Sequence, residues 1–374
     1  MKELPALLIP FGTALAIYFP PLRRFGFWIA SAVSLIMAFL AKGELRWIWG
    51  FFAYAFLLGK FAKASPFAAF WAMLSLGAVH ASWLSAQEPF SALLLSFSLL
   101  LALPAIWEEQ KLDLPGASVF LLLAAGPFLT LGLSTEWRLA IILASLLGAL
   151  PFHLWVRSIM RDGPSFGATL LAAGFRAVIL GWLLKEGLRP ASGLPQEILH
   201  WLGVLSVIWG AFRAAIAEDW GELSAYATTA EAGALLLLAI EGRLEAAFVY
   251  SLLAGLGLLA LGVGAWNLKL LLEESYPATI AASLLLAGIL AVAGLPLTPG
   301  FSAQILALNY LAKWEGLLVI LSGFGAIAGG ARLFRPYALA LRSDPNYETG
   351  QALILLFTLV LFLVLGFTSY GGPS

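Results

Sequence analysis

Apolar runs of about 20 residues follow one another from end to end of this chain, each long enough to cross a hydrocarbon core about 30 Å thick. In that solvent every backbone polar group needs a partner within the protein, which leaves helices and closed barrels. Barrel strands alternate polar and apolar residues, and no such alternation occurs here. The charged fraction is 11%, against about a quarter in an ordinary soluble domain. The sequence therefore describes an all-α, polytopic membrane protein.

Fourteen candidate spans emerge, at 4–19, 25–41, 45–62, 67–86, 90–107, 115–134, 137–160, 165–185, 197–217, 224–241, 245–272, 278–313, 315–337 and 350–369. Short loops join them, several charged, as at Glu108, Glu109, Lys111 and Asp113. No soluble insert, linker or low-complexity tract divides the chain, so residues 1–374 read as a single membrane domain. The first run has neither a strong cationic leader nor a small-residue cleavage site and reads as a retained helix.

Several function classes drop out. Net charge is zero and no basic block exists to meet phosphates, which argues against nucleic acid as a partner. With no cysteine there is no disulfide, thiolate site or iron–sulfur ligation. Imidazole comes only from His80, His153 and His200, and no HxxxH pair puts two on one helical face, so no metal site is expected. No nucleotide fingerprint is present either, so neither a catalytic residue nor a cofactor is assigned to this chain.

Two spans are interrupted. Pro151 breaks the 137–160 run, because its ring removes a donor and clashes one turn back. The 278–313 run is broken by Gly294-Leu295-Pro296-Leu297-Thr298-Pro299-Gly300. Non-helical backbone at membrane depth survives only inside protein or beside a water-filled cavity. Interrupted segments at corresponding positions, five spans apart, point to inverted repeats with a transport path between them.

The residues at those breaks resemble a known family. Pro151-Phe152-His153-Leu154-Trp155 followed by Gly163-Pro164 resembles the PFHxW…GAPxP signature of the antiporter-like membrane subunits of NADH–quinone oxidoreductase and of Mrp-type cation/proton antiporters. The resemblance extends to the subunit N branch, which too places a cation twelve residues after that proline, Pro164 here, where Arg176 stands. The stretch from Leu223 to Gly233 is similar to the family's LLAYSSIAHxG, and Gly294 to Phe301 to its GIPPxxGF.

The resemblance implies about fourteen helices with two broken helices and two inverted five-helix repeats, here 67–185 and 197–337. It implies a proton- or cation-translocating respiratory or Mrp-like complex in a prokaryotic inner membrane, with other membrane subunits and lipid as partners. Any electron transfer would belong to those partners. The family's proton route resembles a row of buried Glu and Lys, and here much of that row is replaced. The paired Glu falls on Leu99, the Lys before the first break on Leu146, and the Lys after the second break on Gln304. The motif His becomes Glu231. A rerouted or degenerate path is the expectation; the alternatives are a non-conducting structural subunit and, less favoured, an autonomous secondary transporter.

Arg stays charged in proteins, so Arg176 can tune or pair but cannot carry a proton. Glu231 is the best remaining candidate for titration inside a span, either a relay or the partner of Arg176 or Arg213. His153 suits proton hand-off or a hydrogen bond to carbonyls freed at the break. Gln304 can order a water chain but not titrate. Glu222 reads as solvated, His80 as a satisfied core histidine, Lys60 and Lys63 as snorkelling cations, and the tryptophans as interfacial belt.

Overall fold

A computed structural model describes residues 4–62, 64–85, 88–107, 129–160, 163–187, 193–271, 278–338 and 349–368, and every regular element among them is helical. The first five are α1 (Leu4–Tyr18), the short α2 (Pro20–Arg23), α3 (Gly26–Leu40), α4 (Glu44–Phe61) and α5 (Pro66–Leu84). Then come α6 (Glu88–Trp107), α7 (Thr135–Leu146), α8 (Leu154–Met160), α9 (Phe166–Lys185), α10 (Leu194–Ala215) and α11 (Trp220–Ile240). The remainder are α12 (Leu244–Leu271), α13 (Ala278–Val292), α14 (Pro299–Tyr310), α15 (Lys313–Ala338) and α16 (Thr349–Thr368). Most of the 115–134 span, the acidic loop before it and Lys63 lie outside the described residues.

Local chemistry sets the helix starts. Ser65 accepts from the Phe67 N–H with Pro66 opening α5, and Ser165 accepts from Ala168 at the start of α9. Asp219 accepts from Glu222 ahead of α11, and Thr298 from Phe301 ahead of α14, where Pro299 is the first helical residue. Each side-chain oxygen satisfies a donor that has no partner within the helix.

Six of the helices are long and apolar enough to span a bilayer, α5, α9, α10, α11, α12 and α15. The innermost is α11, buried along its whole length and packed against α8, α10, α12 and α15. It lies against α10 with almost no gap: a Cβ on Gly210 would meet the backbone of Tyr226 and Ala230, and one on Gly233 would meet Gly203 and Val207. Small residues let helix backbones approach this closely in membranes. Large apolar side chains such as Phe39, Leu205, Phe212, Phe324 and Leu356 point outward, as a lipid-facing surface requires.

Two tryptophans depart from the belt reading. Trp49 and Trp182 are fully buried, and each indole N–H finds an acceptor, His80 Nδ1 at 3.3 Å and Ser91 Oγ at 2.7 Å. A buried indole is tolerated where its N–H is satisfied. The same contact bears out His80 as a satisfied core histidine.

Both interruptions are complete breaks. Residues 147–153 separate α7 from α8, and residues 293–298 separate α13 from α14. The two broken helices run in opposite directions. Met160, ending α8, lies against Gly221 at the start of α11, whereas Tyr310, ending α14, lies under the Arg243 guanidinium just past the end of α11, 5.2 Å from ring centroid to guanidinium carbon.

Candidate functional site

Arg176 sits midway along α9 and Glu231 midway along α11, and the two side chains meet. Arg176 Nη2 lies 2.8 Å from Glu231 Oε2, with the side chains 1% and 8% exposed. Arg176 Nη1 also donates to the Thr228 carbonyl at 3.3 Å, while its Nε has no hydrogen-bond partner among the described residues. That carbonyl is within reach of the same guanidinium because Thr228 is about one turn from Glu231 on the same side of α11. Both side chains are buried in the protein interior, with the buried Tyr250 of α12 within electrostatic reach of both charges. An isolated charge at this depth is costly, and pairing with extra hydrogen bonds is how proteins hold one.

Of the two partners weighed for Glu231, the structure provides Arg176. Arg213 instead faces Glu222 at 3.6 Å and covers the Tyr226 ring at 4.9 Å. Glu222 is also bound by Arg157 of α8 at 2.9 Å and accepts from the Glu218 N–H at 3.1 Å. Its side chain is 13% exposed, so the solvated reading of Glu222 is corrected. The two arginines come from other elements, α8 and α10, and spacing along α11 alone gave no sign of them.

His153 lies in the first break. Its ring sits 6.2 Å from that of Tyr226, and its Nδ1 has no hydrogen-bond partner among the described residues. No hydrogen bond or ion pair joins it to the Arg176–Glu231 pair there. Tyr226 and Glu231 are five residues apart, about 140° around an ideal helix. His153 and Glu222 thus gather on the side of α11 facing α8 and α10, and Arg176 with Glu231 on another side.

The backbone freed at the first break is satisfied locally. Leu150 N donates to Ser206 Oγ at 2.9 Å, and Trp155 Nε1 donates to the Ser145 carbonyl at 3.0 Å. At the second break Gln304 Nε2 donates to the Ala293 carbonyl at 3.2 Å. Gly294 has φ +68°, and its missing Cβ is what makes room for the Gln304 amide. Gln304 is therefore committed to the break. Leu99 and Leu146 are buried members of the apolar core.

A second polar cluster, not foreseen from the sequence, caps the end of α9. Lys185 Nζ donates to the carbonyls of Ser82 and Ser85 at 2.8 and 3.0 Å and pairs with Glu186 at 3.1 Å. Glu186 accepts from Ser91 at 2.7 Å, and the buried Arg138 guanidinium lies 5.6 Å from the Trp182 ring. The adjacent Lys185-Glu186 pair closing an apolar run was the available signal.

The family described as NADH:quinone oxidoreductase/Mrp antiporter, TM, matches residues 85–328. NADH-quinone oxidoreductase subunit N of Thioalkalivibrio sulfidiphilus is 29% identical over 226 residues, covering 55% of this chain and 47% of the relative. Subunit N of Cereibacter sphaeroides is 25% identical over 327 residues, covering 78% and 72%. The chain spans about half the length of several such curated relatives. The fold is shared with a chain of respiratory complex I from Thermus thermophilus, with TM-score 0.74, 18% identity and coverage of 98% and 95%. It is shared equally with a chain of the Mrp complex from Dietzia sp. DQ12-45-1b, with TM-score 0.74, 12% identity and coverage of 97% and 93%.

Proposed function

Because the chain belongs to the NADH:quinone oxidoreductase/Mrp antiporter transmembrane family, we propose that it is an antiporter-like membrane subunit of a proton- or cation-translocating complex, respiratory or Mrp-like. The observation that carries this reading is the Arg176–Glu231 pair, a buried charge pair mounted mid-helix at 2.8 Å. A carboxyl fixed beside a permanent cation is a switchable element, since any positive charge arriving near Arg176 competes for the same acid. Leu at 99 and 146 and Gln at 304 leave Glu231 as the titratable member at the positions carried over from the family's row.

Around this pair the chain is read as fourteen spans in one membrane domain, with inverted repeats at 67–185 and 197–337. The opposite directions of α7–α8 and α13–α14 support the inversion. His153 and the breaks at Pro151, Pro296 and Pro299 are the proposed points where protons or cations approach the pair, and Gln304 keeps the second break in shape. Partner membrane subunits and lipid complete the assembly in a prokaryotic inner membrane, and redox chemistry belongs to those partners.

The test is proton and sodium flux in vesicles reconstituted with the intact complex. Glu231→Gln is expected to lower flux at least tenfold while assembly persists, and Arg176→Ala to lower it as well. Unchanged flux in both variants would leave a sealing role for this chain.

A further inference from the structure

Lys42 and Gly43 form the turn between α3 and α4, and beside that turn lies a cleft of about 380 Å³, away from the buried pair. Its walls are the turn, the first residues of α4, the end of α9 and the start of α12. Two cations, Lys42 and Arg46, and two acids, Glu44 and Glu245, line it, with Phe248 as a buried apolar wall. None of these four charges forms an ion pair with another described residue, although the cleft brings them together. Trp47 on the rim is 63% exposed.

Four features of the cleft select its ligand. It lies where helices end, the level at which a bilayer presents headgroups and where exposed Trp is at home. Two of its apolar lining residues, Trp47 and Val249, are exposed, so a bound molecule with a hydrocarbon part keeps that part in lipid. Its volume falls within the range of small-ligand sites, about 300–1,000 Å³. Its charges come in both signs: Lys42 and Arg46 suit a phosphate, and Glu44 and Glu245 suit a primary ammonium. The same acids repel a headgroup that carries only negative charge, and a quaternary ammonium offers them no N–H.

We propose that this cleft binds one phospholipid whose headgroup carries both a phosphate and a free amine, as phosphatidylethanolamine does. The lipid phosphate sits between Lys42 and Arg46, and its ammonium is held by Glu44 and Glu245. The bound lipid joins the α3–α4 turn to the start of α12. The site is independent of proton movement through the protein.

The experiment is native mass spectrometry of the full chain in detergent, with phosphatidylethanolamine, phosphatidylglycerol and phosphatidylcholine of identical acyl chains offered in competition. The wild-type chain is expected to retain phosphatidylethanolamine about tenfold over the other two, the loss of one charged hydrogen bond being worth about that factor. Lys42→Gln with Arg46→Gln is expected to lower retention of all three lipids. Glu44→Gln with Glu245→Gln is expected to abolish the preference while keeping total lipid. Equal retention of the three headgroups by the wild type would overturn the proposal, as would variants indistinguishable from it. Displacement of the lipid by millimolar inorganic phosphate would also overturn it, marking a site for free anions. A photoreactive phosphatidylethanolamine analogue on the unaltered chain gives a reading that does not depend on how variants fold. Labelling at 42–47 and 245–249 supports the site, and labelling confined to other segments sinks it.

Discussion

The carboxylate of Glu231 and the guanidinium of Arg176 form a 2.8 Å contact buried in the protein interior, each charge supplied by the middle of a different helix. Removing either partner alone strands the other. Arg176→Met or Glu231→Leu is expected to cost about 3–5 kcal/mol of stability. The double variant is expected to recover most of that loss, and thermal unfolding of the four proteins in detergent measures the coupling.

Gln304 should behave as a structural donor. Gln304→Leu leaves the Ala293 carbonyl without its partner at 3.2 Å, an expected cost of about 1–3 kcal/mol. Gln304→Glu, which keeps the shape but removes the N–H, should cost at least as much. Thermal midpoints of the three proteins in detergent check the order.

Gly294 is expected to tolerate no side chain. Its φ of +68° and the Gln304 amide in the space of a Cβ act together. Gly294→Ala should cost more than the ~1 kcal/mol usual for an incompatible φ alone. Pairing it with Gln304→Ala should recover the steric part, which a double-mutant cycle of unfolding free energies reads directly.

Ser206 holds the first break from the neighbouring helix. Ser206→Ala removes the acceptor 2.9 Å from the Leu150 N–H, with an expected loss of about 1–3 kcal/mol. The matching local signature is faster hydrogen exchange at Leu150, with α9 and α11 unaffected.

The Glu222 cluster should be the salt-sensitive one. Arg157 is 49% exposed where it meets Glu222, so Arg157→Gln is expected to cost under about 1 kcal/mol and to lose that effect in high salt. The Arg176–Glu231 coupling, cut off from solvent, should persist at the same ionic strength. Unfolding midpoints at two salt concentrations separate the two.

Much of this was legible in the sequence because membrane physics leaves few options. Run length gave the all-helical membrane fold, and proline with glycine gave both breaks within a few residues, since backbone at that depth cannot be irregular without cause. The Arg176–Glu231 contact was named as one of two possibilities, and the sequence could not choose between Arg176 and Arg213. That choice depends on which face of α11 each neighbour meets, a property of packing. Glu222 was misread for the same reason: its enclosing arginines lie 65 residues before it and 9 residues before it, on separate helices. Trp49 and Trp182 were assigned to the interface by residue type, and only three-dimensional placement supplied the acceptors that let them go inside.

The glycine-lined contact between α10 and α11 limits how the acid can move. With no side chains between the two backbones at Gly210 and Gly233, neither helix has slack to roll or slide past the other. Glu231 is thus bolted to a stationary post. Its carboxyl is left with torsion about its own bonds, and any larger stroke in a working cycle must come from the jointed segments on either side of that post.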